Sequence, residues 1–203
     1  MESSNLAVNT EPLVTETVDT LVSNLDPTLY YHSPSHTKDV LRQTLELAEA
    51  DALDDRDVLL LAIAAAFHDA GFLEQRPKNE PIGAKMAVKA MAESGRFSPE
   101  ECDLVEQMIL DTQLVMEGPA QIANCRLSPW LLDADLANLG RDDFWEQTTL
   151  LAKELNIDFQ NMLPMTQALM QRHSWQSPAG QRLFGEKKAL NFLALEHELG
   201  SHA

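Results

Sequence analysis

The chain has 203 residues, of which 44% are hydrophobic and 23% charged; this predicts a single folded domain with its own core and excludes wholesale disorder. Its 15 Lys and Arg against 32 Asp and Glu give a net charge of −17, which argues against long nucleic acids and anionic membrane surfaces as partners. A small phosphorylated molecule remains admissible if something local reverses the sign.

The start, Met1-Glu2-Ser3-Ser4-Asn5, lacks the basic and apolar stretches of an export signal. The longest apolar run, Val58 to Phe67, is too short to cross a bilayer, so a cytoplasmic protein is expected. Residues 1–10 read as a flexible N-terminus. Leu13, Val14, Thr17, Val18, Leu21, Val22 and Leu25 recur at three- and four-residue spacing, which predicts an amphipathic helix within 11–27, stopped by Asp26-Pro27. Four Ser-Pro pairs, at Ser33, Ser98, Ser128 and Ser177, each offer a capping hydroxyl before a proline suited to a first helical turn. Helices are expected near 34–50, 55–69, 81–94, 99–113, 129–139, 142–155, 159–173 and 178–199. Gly71, Gly95 and Gly140 fall where C-terminal caps belong. No stretch sustains a period of two, so the fold class is all-α, a compact multi-helix bundle. Cys102 and Cys125 have neither CxxC nor zinc-site spacing and read as reduced thiols, with a redox pair as the alternative.

Three segments carry chemistry. Val58–Phe67 is apolar on every side, as a fully buried helix is, and it ends in His68-Asp69. That pair reads either as a core histidine with a capping aspartate or as two ligands. In the segment from Ser128 to Gly140, Leu132, Asp135, Leu136 and Leu139 share one face, so Asp135 points inward. Asp133 lies roughly 160° around the helix, toward solvent. A carboxylate on a buried face needs a hydrogen-bonded partner or a metal. His36 shares a stripe with Val40, Thr44 and Leu47 and faces the core, while His32 precedes the cap and approaches from a loop. Two imidazoles and two carboxylates from three helices suit one octahedral divalent ion with positions left for water.

The order His36, His68-Asp69, Asp135 resembles the HD superfamily of metal-dependent phosphohydrolases. Tyr31-His32-x3-His36 is similar to its YHxxxH element, and Phe67-His68-Asp69-Ala70-Gly71-Phe72 to its FHDxGY element. Asp133-Ala134-Asp135-Leu136, with Leu139-Gly140, is similar to the DADLxxLG stretch of its small stand-alone bacterial members. Asn79-Glu80-Pro81-Ile82-Gly83-Ala84 resembles their NExxSA stretch, with Gly83 in place of Ser. The likeness covers 28–155, leaving 11–27 as a helix packed on the core and 156–203 as helices that complete the same domain.

The resemblance implies one divalent ion (Mn, Mg, Co, Ni, Fe or Zn) on His36, His68, Asp69 and Asp135. It implies His32 as proton donor to a leaving oxygen, and Glu80 either as the group that orients a metal-bound water or as a helix N-terminal carboxylate. Asp69 then serves both metal and catalysis. Lys38, Arg76, Lys78, Lys85 and Arg141 lie near these motifs in sequence; Lys85 and Arg141 are the expected phosphate contacts, with a solvated surface charge as the alternative for each. The implied activity is hydrolysis of a phosphomonoester or phosphodiester of a small molecule, with a nucleotide first among them, by a monomer or homodimer. The other histidines, His173, His197 and His202, all lie C-terminal, so the further ligands of multi-metal relatives are not matched. A di-iron oxygenase of the same fold and a non-catalytic sensor or scaffold are the competing readings.

Overall fold

A computed structural model describes residues 10–201, as helices throughout and without strands among the described residues. Residues 1–9 of the expected flexible N-terminus, and His202, lie outside the described residues. The helices are α1 (Pro12–Asn24), α2 (Pro34–Ala50), α3 (Asp55–Phe67), α4 (Glu80–Ser94), α5 (Pro99–Asp111), α6 (Ser128–Asp135), α7 (Phe144–Leu155), α8 (Phe159–Arg172) and α9 (Pro178–Ser201). Two 3₁₀ turns, Ala70–Leu73 and Ala137–Gly140, follow α3 and α6.

The core is organised around α3, because that helix has no polar face. Leu60 to Ala66 are at most 1% exposed, and α1, α2, α4, α5 and α6 all pack against it. Its start is polar and fixed: Asp54 caps the Asp57 N–H at 2.8 Å, and Asp57 pairs with Arg126. Its end is crowded. A Cβ on Gly83 of α4 would fall 2.5 Å from Phe67 O, so only glycine lets α4 pass this close to the last turn of α3.

Ser98 forms the full capping box with Glu101 at the start of α5. Ser177 caps α9 by accepting from Gly180 N at 2.9 Å. Two serines depart from the pattern: Ser33 stands at the N-cap of α2 without a capping side-chain hydrogen bond, and Ser128 lies inside α6 and donates its hydroxyl to Asp111 at 2.6 Å. Gly95 is left-handed, as a cap requires, with φ 65°. Gly71 and Gly140 instead sit within the 3₁₀ turns, pressed against the backbone of Asn79 and against Phe184. The expected helix 129–139 is broken at Leu136, which places Asp135 on the last residue of α6. A second apolar cluster (Leu136, Leu139, Phe144, Leu163, Met170, Leu195) joins α7, α8 and α9 to the turn after α6. Trp175 packs against both clusters. Among the described residues, no helix is long and apolar enough to cross a membrane.

Candidate metal centre

His36 enters from the first turn of α2, with its side chain 7% exposed. His68 and Asp69 follow the last turn of α3, and Asp135 ends α6. Their donor atoms converge. His36 Nε2 lies 3.4 Å from His68 Nε2, 3.6 Å from Asp69 Oδ2 and 3.4 Å from Asp135 Oδ1. His68 Nε2 lies 3.2 Å from Asp69 Oδ2 and 3.7 Å from Asp135 Oδ1. Donors about 2.1 Å from one ion stand about 3.0 Å apart at right angles and about 3.4 Å apart at the tetrahedral angle. His36, His68 and Asp69 together form a buried cluster that could hold a metal ion. Asp135 joins it through the two imidazoles.

The protonation pattern fits a cation. His68 Nδ1 donates to Ala65 O at 2.8 Å, which leaves Nε2 as the ligating nitrogen. Asp69 Oδ2 is buried and accepts no hydrogen bond. A buried carboxylate oxygen left bare beside two imidazole nitrogens is costly unless positive charge lies between them. Burial disfavours the charged imidazolium at His68, yet the charges of Asp69 and Asp135 carry its pKa up to about 9. Burial likewise opposes the Asp69 carboxylate, while His68, His32 and His36 hold it well below the usual range. A proton on His68 supplies the positive charge; a divalent ion on the same four donors would supply it in its place.

Around the donors stand residues that local sequence spacing did not reveal. Gln121, from the segment between α5 and α6, donates to Asp135 Oδ2 and to Thr112 O, both at 2.8 Å, and so orients the carboxylate. Glu154, on α7, meets His32 Nδ1 through Oε1 at 2.5 Å. Its other oxygen accepts from Tyr31 N at 2.8 Å and His32 N at 3.0 Å. The His32 ring stacks on Phe72 at 4.6 Å. Burial works against His32 protonation, but the bond to Glu154 and the charge of Asp69 outweigh it and raise the pKa. Glu80, the first residue of α4, keeps Oε2 buried and without a donor; burial, then the charges of Asp69 and Asp135, push its pKa up.

Asp133 corrects the sequence expectation. It is 0% exposed, because the chain between α8 and α9 covers that side of α6: Asp133 accepts from Gln176 N, Ser177 N and Ser177 Oγ at 2.6–2.8 Å. The periodicity argument placed it correctly opposite Asp135 but not in solvent.

A cavity of about 370 Å³ adjoins the donors, lined by His36 and Asp135 together with Asp39, Asp143, Glu146 and Arg141. Among the described residues that line it, Arg141 is the one Lys or Arg; it is ion-paired with Asp39 at 2.7 Å and Asp143 at 2.6 Å, while its buried Nη1 makes no hydrogen bond. Lys85 is exposed on α4 and does not line the cavity. Arg76 is taken up by Asp26 and Thr28. Cys102 and Cys125 are both free, and Cys125 Sγ lies 3.0 Å from Ser128 Oγ.

No family model, no curated protein and no solved structure matches the chain.

Proposed function

We propose that the chain is a metal-dependent phosphohydrolase of HD type, acting on a small phosphoester at His36, His68, Asp69 and Asp135. The observation that carries the reading is the buried cluster of His36, His68 and Asp69, whose carboxylate oxygen has no hydrogen bond, with Asp135 Oδ1 at 3.4 and 3.7 Å from the two imidazole nitrogens. An ion held there would act as a Lewis acid, acidify water to a nucleophile near neutral pH and offset charge on phosphoryl oxygens.

The chain's own residues would do the rest. The bond from His68 Nδ1 to Ala65 O fixes the tautomer that ligates through Nε2. Glu154 holds the Nδ1 side of His32, so the opposite ring nitrogen is the one left to exchange a proton with a leaving oxygen. Glu80 Oε2, buried and lacking a donor, can accept from the attacking water.

The acidic cavity narrows the substrate class. Asp39, Asp143 and Glu146 line it, and the charge of Arg141 is offset by its ion pairs with Asp39 and Asp143, so the cavity carries no net positive charge beyond the donors, although Arg141 Nη1 has no hydrogen bond and can still donate to one phosphoryl oxygen. The substrate that fits places a single phosphoryl group at the four donors. Toward the carboxylates it presents an uncharged, hydroxyl-bearing or cationic organic part, as a nucleoside or an amino alcohol does. The test is metal quantification on the purified chain, followed by reconstitution and a panel of phosphomonoesters and diesters with released phosphate as readout. We expect about one divalent ion per chain and hydrolysis that His68→Ala and Asp69→Ala abolish. Activity retained by the demetallated double variant would sink the reading; two irons per chain and oxygen consumption would shift it to an oxygenase.

A further inference from the structure

The second large cavity lies away from the four donors, between the end of α8, the 173–177 connection and the first half of α9. It measures about 460 Å³, within the range of small-molecule sites. Its electrostatics set it apart from the rest of the chain. Among the described residues that line it there is no carboxylate, and Lys188 supplies a cation. In a chain of net charge −17, such a place attracts what the surface otherwise repels.

The walls divide by chemistry. Met170 and Phe192 give an apolar side, and Trp175 continues it with an indole. Lys188 Nζ donates to His173 O at 2.6 Å, which holds the ammonium at the cavity and leaves it further protons to donate. Two ring atoms of the same wall lack any hydrogen bond: His173 Nδ1 and Trp175 Nε1. Indole N–H groups normally find an acceptor when buried, so this one stands out. The His173 and Trp175 rings meet edge to face at 4.5 Å, which fixes both against the cavity. Burial, and then Lys188, keep His173 neutral, so the imidazole offers hydrogen bonding rather than a second positive charge. None of these groups has a part in the proposed hydrolysis.

We propose that this cavity is a second ligand site, for a small organic anion with an aromatic body. Its anionic group sits at Lys188, and its ring lies against Met170, Phe192 and the indole of Trp175. The test uses the full chain and the fluorescent aromatic sulfonate 1-anilinonaphthalene-8-sulfonate. Saturable binding of one equivalent is expected, with a chemical-shift change at the Trp175 indole N–H and none at those of Trp130 and Trp145. Lys188→Met should weaken binding about tenfold or more, the worth of one charge-assisted contact. N-phenyl-1-naphthylamine, the same body without the sulfonate, should bind more weakly by a similar factor. Gly185→Leu, which adds a branched side chain to the cavity wall beside Gln181, should abolish binding while near-ultraviolet circular dichroism stays native. A silent Trp175 resonance overturns the site, and this arm does not depend on any variant folding. Equal affinity for the uncharged analogue, or for the natively folded Lys188→Met variant, overturns the assignment to anions.

Discussion

Replacing Gly180 with alanine tests how α6 and α9 are joined. Helix propensity alone favours the change by about 1 kcal/mol. The structure gives the opposite sign. A Cβ at residue 180 would overlap Asp133 Oδ2 and lie 2.8 Å from Asp133 Cγ. The carboxylate has nowhere to retreat, because Oδ1 accepts from Gln176 N at 2.8 Å and Oδ2 from Ser177 N at 2.8 Å and Ser177 Oγ at 2.6 Å. Moving it forfeits at least one hydrogen bond to a charged group, about 1.5–3 kcal/mol. Shifting the start of α9 instead overpacks the interface, at about 1–3 kcal/mol. With one of these costs incurred, or each in part, and the propensity gain subtracted, Gly180→Ala should be about 1–2 kcal/mol less stable than wild type. Urea unfolding followed by circular dichroism measures this, provided the slope is unchanged. In an Asp133→Ala background the obstacle is gone, so the same substitution should become neutral or stabilising, a coupling of about 1–3 kcal/mol. A Gly180→Ala variant as stable as wild type refutes the reasoning, and so does an undiminished cost in the Asp133→Ala background.

A divalent ion at a thousandfold excess over its dissociation constant should add about 4 kcal/mol to the unfolding free energy. For a chain of this length that raises Tm by roughly 8–16 °C in calorimetry; His68→Ala should erase the shift, and an equal shift in that variant places the ion elsewhere. His173 has its pKa lowered to about 3, first by burial and then by Lys188. The unfolded chain therefore binds this proton at a higher pH than the folded one. Its contribution is fully present above about pH 6.5 and is lost as pH falls toward 3, by up to about 1.4 kcal/mol per unit. Urea midpoints of wild type should accordingly fall faster than those of His173→Phe between pH 6.5 and 5, and parallel curves would contradict this. Glu154→Gln keeps an acceptor for the Tyr31 and His32 N–H groups but removes the charge that offsets burial, so the His32 pKa measured by NMR should fall. Turnover should drop by about a hundredfold with metal content unchanged; loss of metal instead would make Glu154 part of the ligand scaffold.

What was legible in the sequence follows from distance along the chain. Helical spacing read the inward stripe of His36, Val40, Thr44 and Leu47, and composition read the fully buried α3, because both depend on residues within a few turns of one another. His36 sits in the first turn of α2, where the sequence marked its start, whereas the expected helices 55–69 and 129–139 ran past the ends at which His68, Asp69 and Asp135 stand; the structure brings His36, His68 and Asp69 into one cluster, with Asp135 beside the two imidazoles. Their supports carry no such mark. Glu154 reaches His32 from 122 positions away, and Gln121 reaches Asp135 from an irregular segment with no period to read. Asp133 went wrong for the same reason. Periodicity assigns a face but not what covers it, and the cover here is the 176–177 backbone, 43 and 44 positions downstream. Arg141 is the converse case: it lines the cavity beside the donors, and the carboxylates of Asp39 and Asp143, which spacing near the motif did not reveal, pair with its charge. Charge near a motif therefore says little about charge available at a site. With Arg141 ion-paired, the positive charge at this centre comes from a proton on His68 or from an ion held between the donors. The cavity at Lys188 has its cation exposed to a ligand and no carboxylate lining it. Under the two proposals the cavities would sort ligands by opposite rules: the first for one phosphoryl group on an otherwise uncharged or cationic molecule, the second for anionic charge on an aromatic body.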